Sequence, residues 1–255
     1  MQRHYRLPSY VGIMSATVSI SAVTHEKPVE QAPSLPRSLV GLLAAGAGLG
    51  AASLYYAQPL LGALAGSFHA STQLIGLVPT LTQLGYALGI LFLAPLGDRF
   101  DRRRIIIVKS ASLAVALLAC ATAQGMPTLL AASLVVGVTA TLAQDIVPAA
   151  AALARDSERG RVVGNVMTGL LLGILLSRVA SGFLGEQAGW RAVYFVAAAV
   201  VTVLGVALAR GVPSFEPTTR LGYGALLGSV LDLWRRHAPL RRAAVAQGLL
   251  SVAFS

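Results

Sequence analysis

Three observations predict that this chain is an all-α, polytopic membrane protein. It is 55% hydrophobic and only 12% charged, about half the roughly 25% charge of a soluble domain. That is too few charges to clothe a globule of 255 residues. Its apolar residues gather in continuous runs of about 20, the length of a helix that crosses the hydrocarbon core. Its cations also segregate, with eighteen of the twenty Lys and Arg falling in every second connection. Only helices and closed barrels satisfy their backbone in lipid. These runs are continuous rather than alternating, so the spans are helices.

The elements follow in order. Residues 1–37 are polar and mixed and read as a disordered cytoplasmic tail. Within it, SYVGIMSATVSISAV has a weak, serine-rich apolar centre and no A-x-A site after it, so a cleaved signal is not expected. Met14 offers a second start. Six spans are expected near 38–58, 73–96, 105–123, 128–150, 162–184 and 190–209, a six-helix unit over 38–209. Outer connections 59–72, 124–127 and 185–189 are short and nearly uncharged. Residues 210–242 form the longest inner connection, and LDLWRRH within it reads as an amphipathic piece with Leu231, Leu233 and Trp234 toward lipid. A seventh span begins near Ala243 and stops at Ser255. The small residues of AGAGLG (Ala45–Gly50) and of Gly169 and Gly173 are expected to bring helices close together.

The net charge of +10 is set by this topology. Arg3, Arg6, Lys27 and Arg37 precede the first span. Arg99, Arg102, Arg103, Arg104 and Lys109 lie between the second and third, and Arg155, Arg159 and Arg161 between the fourth and fifth. Six more arginines follow the sixth. Arg191 is the one outer cation and Arg178 lies inside the fifth span. The bias places the N-terminus in the cytoplasm and the cations against anionic headgroups, with no call for a nucleic-acid partner. Cys120 is a lone apolar-run cysteine, which rules out an internal disulfide. The four histidines (His4, His25, His69, His237) are scattered outside the spans, and no metal set, cofactor motif or nucleophile–base pair appears. The chain is therefore not expected to be an enzyme.

The connection PLGDRFDRRR is the one dense charge cluster. At Gly97, Asp98, Arg99, Arg102 and Arg103 it resembles the signature loop of the major facilitator superfamily. Asp101 stands where that family usually has glycine; Arg104 closes the cluster. Six helices, a long inner connection and further helices are also that family's plan. ASLYYAQPLL, TQLGYALGILFLAPLGDR and GLLLGILLSRVASG followed by GWRAVYF look like a bacterial branch near the drug and sugar efflux–proton antiporters. The resemblance covers about residues 38–255. It implies that the loop latches the cytoplasmic side in one state and releases it in another. Val136 stands where antiporter relatives carry an arginine before a proline like Pro148. Ile174 follows Gly173, and Ser177–Arg178 replaces a later glycine pair. These departures weaken the implication of proton antiport.

Two charges read as intramembrane, Asp145 and Arg178. Such charges cost at least about 2.5–3.5 kcal/mol on insertion scales and mark function by default. At 1.5 Å per residue they sit roughly 8 and 24 Å from the inner end, too far apart in depth to pair. Asp145 is placed to reach the Asp98–Arg104 loop, and Arg178 a central cavity or outer gate. Tyr55, Tyr56, Gln58, Gln83, Tyr86 and Gln144 are further candidate cavity groups, with an interfacial belt or helix–helix hydrogen bonding as their ordinary alternative.

The resemblance implies a secondary transporter that moves a small molecule, with efflux and proton coupling as its finer features. The bilayer, that molecule, protons and a missing C-terminal helix bundle are the expected partners. A truncated or non-transporting half-bundle, acting as a scaffold or sensor, is the alternative.

Overall fold

The computed structural model describes residues 34–217, 219 and 221–253. The expected N-terminal tail up to residue 33 and the side chain of Leu231 lie outside the described residues. All regular structure among the described residues is helical. It comprises α1 (Arg37–Ala52), a 3-10 turn (Gln58–Leu60), α2 (Leu61–Phe68), α3 (Thr72–Leu93), α4 (Leu96–Arg99) and α5 (Arg102–Ala121). After these come α6 (Met126–Thr139), α7 (Leu142–Leu153), α8 (Arg159–Ala188), α9 (Trp190–Gly211), α10 (Tyr223–Arg236) and α11 (Ala238–Ala253).

Five segments are long and apolar enough to cross a membrane: Thr72–Arg99, Arg102–Ala121, Met126–Leu153, Arg159–Ala188 and Trp190–Gly211. The first expected span is interrupted. Its continuous helix is only 16 residues, Arg37–Ala52. Pro59 explains the break, because it donates no N–H and its ring would strike the carbonyl of Tyr55 four residues back in a continuing helix. The chain tightens instead, with Tyr55 N bonded to the Ala52 carbonyl (2.9 Å) and Leu60 N to that of Ala57 (3.0 Å). It then resumes as α2, inside what reads from sequence as an outer connection.

Two other spans are jointed. Thr72–Arg99 breaks at Ala94 and Pro95, and Met126–Leu153 breaks at Ala140 and Thr141. The fifth span runs as one helix of 30 residues, about 45 Å and longer than the hydrocarbon core. It stops at Gly189, whose φ of 83° lies in the region open to glycine. Trp190 begins α9 directly after it. The long connection over 210–242 is largely helical. α10 occupies it with Leu233 and Trp234 exposed as an amphipathic surface helix requires, and α11 starts at Ala238 rather than Ala243.

The bundle is built from close pairs: α1 on α8, α3 on α6 and α5 on α9. Glycine makes two of these contacts possible. A Cβ at Gly85 would overlap the Leu134 carbonyl on α6, and one at Gly137 would overlap the Thr82 carbonyl on α3. Gly48 abuts the carbonyl of Gly169, Gly169 that of Ala44, and Gly173 that of Gly48, as the small-residue stretches predict. Backbone-to-backbone contact of this kind supplies the van der Waals attraction that lipid, itself apolar, cannot supply by exclusion.

At the end opposite the arginine cluster, Trp190 ties three elements together. Its Nε1 donates to Ser67 Oγ on α2 (2.9 Å) and its ring meets Phe68 and Tyr194. Arg191 lies over the Trp190 ring at 4.2 Å and donates to the Ala123 carbonyl at the end of α5.

Substituting Gly85 or Gly137 by leucine should destabilise the chain by about 3 kcal/mol or more, since backbone cannot yield to the new side chain. Gly62→Leu, at an exposed site with nothing within 4 Å, should be near neutral. Thermal melting of the three variants in detergent checks this.

Candidate functional site

The site is built at the end of the bundle where α3, α4, α5 and α7 meet. Pro95 ends the run from α3, and α4 is a single turn. Asp101 then restarts the chain as α5: its Oδ1 accepts from Arg103 N (3.0 Å), a side-chain cap of the usual kind. The same oxygen accepts from Phe215 N (2.9 Å), far along the chain. Arg102 folds back, donating from Nη2 to Asp98 (2.7 Å) and from Nε to the Gly97 carbonyl (3.1 Å). Arg103 donates to the carbonyl of Ala209, where the last turn of α9 leaves acceptors unpaired. Arg99 stacks over Phe100 at 5.4 Å, and Arg104 is exposed.

Lys109 overturns one expectation. It reads from sequence as a loop cation, yet it stands seven residues inside α5 and is 4% exposed. Asp101 is the reason: by capping α5 at residue 102 it carries two helical turns of the cluster into the span. Lys109 Nζ meets Asp145 Oδ2 at 2.5 Å, with side chains 5% and 2% exposed. The intramembrane charges therefore include Lys109 beside Asp145 and Arg178. The signal that could have found it is the expected span itself, since 105–123 already contains Lys109 although its charge reads with the loop.

Asp145 also faces the loop. A Cβ added at Gly97 would sit 2.7 Å from its Oδ1, so only glycine leaves room for the carboxylate there. The carboxylate thus lies between α4 and α5 while anchored on α7. A cleft of about 450 Å³ opens here, lined by Gly97, Asp98, Arg102, Gln144, Asp145 and Pro148. Leu226 and Ser229 of α10 complete its wall. The arrangement sets the Asp145 end of a buried, charge-neutral pair against a mainly apolar cleft, with the part-buried Arg102–Asp98 pair beside it.

The other candidates divide into two groups. Tyr86 Oη accepts from Gln144 Nε2 (3.1 Å), and Gln83, one turn from Tyr86 on α3, is exposed. The Tyr55 ring lies 5.4 Å from the exposed Arg178 guanidinium, within cation–π range. Gln58 is half-buried in the 3-10 turn beyond Tyr55, and Tyr56 is 8% exposed, packed in the bundle interior beside α8. Asp145 and Arg178 are not brought together. Among the described residues no three His, Cys, Asp or Glu side chains gather as a metal site.

A family model described as the Major Facilitator Superfamily matches residues 40–255. The chain is 42% identical over 221 residues to the uncharacterized transporter YgaY of Escherichia coli, covering 87% of this chain and 56% of that protein. A Streptomyces coelicolor protein whose name calls it a transporter is 34% identical over 98% of this chain and 58% of its own length. This chain therefore spans a little over half the length of these relatives. Among solved structures, a bacterial homologue of the lysosomal transporter Spinster, inward-facing and unoccupied, superposes with a TM-score of 0.61 at 17% identity. It covers 72% of this chain and 44% of that one. A peptide transporter in complex with alafosfalin gives 0.60 at 17% identity over 86% and 47%. At these identities the two structures speak to the fold alone.

Lys109→Met strands a buried carboxylate and should cost about 3–5 kcal/mol. Arg102→Gln breaks a pair with half-exposed Asp98 and should cost about 1 kcal/mol or less. Chemical denaturation followed by tryptophan fluorescence separates the two cases.

Proposed function

This chain belongs to the Major Facilitator Superfamily and is an integral membrane protein, and on that footing we propose that it is the N-terminal bundle of a secondary transporter. The transporter moves a small molecule across the bacterial inner membrane by alternating access, in the efflux direction. Its N-terminus lies on the cytoplasmic side, where the arginine cluster meets anionic headgroups. The observation that supports this reading best is the Lys109–Asp145 pair beneath the Gly97–Arg102 turn. A buried pair is weak support for stability, because the desolvation of both ions offsets their attraction. Its placement against a jointed, charged turn suits a latch with two arrangements better than a simple strut.

In this reading Gly97, Asp98, Arg99, Asp101, Arg102, Arg103 and Arg104 form the cytoplasmic gate, and Asp145 is the group on which the gate closes. Arg178 is exposed on α8 with its guanidinium over the Tyr55 ring. An exposed guanidinium within a span of this length needs a polar surrounding, and a central cavity between two bundles provides one. Arg178 then serves at the substrate site or the outer gate, with Tyr55, Tyr56, Gln58, Gln83, Tyr86 and Gln144 as lesser contributors. A second helix bundle is the partner that completes the cavity. Protons are the proposed coupling ion.

Flux of a small-molecule panel in proteoliposomes tests the proposal, using this bundle joined to a C-terminal bundle, with and without a proton gradient. Gradient-dependent flux is expected, falling at least roughly tenfold (about 1.4 kcal/mol) in Arg178→Ala at unchanged insertion. Absence of flux in every condition, from protein shown to be inserted and folded, would contradict transport. Flux indifferent to the gradient would contradict proton coupling.

A further inference from the structure

We propose that Asp101 is a positioning residue that fastens the connection between α9 and α10 to the gate turn, so that turn and connection move as one piece. The inference rests on the gating role assigned above to that turn. Two hydrogen bonds join the two segments, and a third ties the first residue of α10 to the last turn of α3. Asp101 Oδ1 accepts from Phe215 N (2.9 Å), the Asp98 carbonyl accepts from Thr219 N (3.1 Å), and the Phe92 carbonyl accepts from Tyr223 Oη (2.8 Å). They follow one another in reverse order along the two stretches of chain: Phe215 with 101, Thr219 with 98 and Tyr223 with 92. The connection therefore runs back along the turn, opposite in direction to it.

Asp101 is the centre of this arrangement because one oxygen serves two masters. It caps α5 through Arg103 N and holds Phe215 N at the same time. Backbone N–H groups on a carboxylate make charge-assisted bonds, stronger than neutral ones. Two further contacts reinforce the tie. Phe215 packs against the bundle core, and Arg103, next after the cap, donates to Ala209 just before the connection begins. Beyond Tyr223, α10 sets Leu226 and Ser229 into the wall of the cleft above Asp145. A turn that swings away from Asp145 must either break these bonds or carry α10 with it. The connection is thereby a strap over the gate, and Asp101 is its clasp.

Hydrogen–deuterium exchange of the 255-residue chain in lipid nanodiscs tests the clasp without any transport assay. A failed transport reading would leave this result untouched, and a failed clasp would leave flux untouched. Asp101→Ser keeps a helix cap and is too short to reach Phe215 as well. Asp101→Asn keeps an acceptor oxygen for both N–H groups. In Asp101→Ser the Phe215 and Thr219 amides should exchange roughly tenfold faster or more, while the first turn of α5 keeps its protection. Asp101→Asn should stay near the parent in both segments. Thr219→Pro removes the second tie without touching the α5 cap, and should likewise speed exchange at Phe215. Protection of the Phe215 and Thr219 amides in Asp101→Ser equal to the parent would overturn the proposal. So would an Asp101→Asn strap as open as that of the serine variant, or unchanged exchange at Phe215 in Thr219→Pro.

Discussion

The contact on which the basic end of the bundle depends is the Lys109–Asp145 pair, 2.5 Å long and closed to solvent on both sides. Neither charge could stay where it is without the other, since a lone buried ion costs several kcal/mol. The pair joins α5, two turns from its start, to the first turn of α7. It also fixes the position of Gly97, which must be glycine because the Asp145 carboxylate fills the space of a side chain. From Gly97 the geometry propagates outward: Arg102 bonds its carbonyl and Asp98, Asp101 caps α5, and Arg103 reaches the end of α9. A charged turn is thus hung from one buried ionic contact.

The rest of the bundle is rigid by other means. Interlocked glycines hold α3 to α6 and α1 to α8 at backbone distance, and the Trp190 cluster binds the opposite end. Such contacts tolerate little sliding, because a small shift drives backbone into backbone. Motion is then expected at the joints, which lie at Pro95, at Ala140–Thr141 and at Pro59. Two of these joints flank the buried pair. The division into firm helix pairs and jointed ends suits the alternating access proposed above.

Much of this was legible in the sequence. Continuous apolar runs and the segregation of cations predict an all-α, multi-span chain, and the family match and the structural likenesses agree. The packing role of Gly169 and Gly173 could be read from residue size alone. The break in the first span could have been read from Pro59, but hydropathy averages over it. Lys109 was misplaced for a different reason: a charge near a charged loop looks like loop, although the expected span 105–123 already contains it. The Asp101–Phe215 bond was not legible, since nothing local links residues 114 apart. The pairing of Asp145 with a lysine, rather than with the arginines alone, is likewise a tertiary fact.

A double-mutant cycle on Lys109→Met and Asp145→Leu, read as unfolding free energies in detergent, tests the central claim most directly. The account predicts a coupling energy of at least about 2 kcal/mol, with the double variant more stable than either single variant. Losses that simply add would contradict it, because they would mean that the two charges do not hold each other in the span.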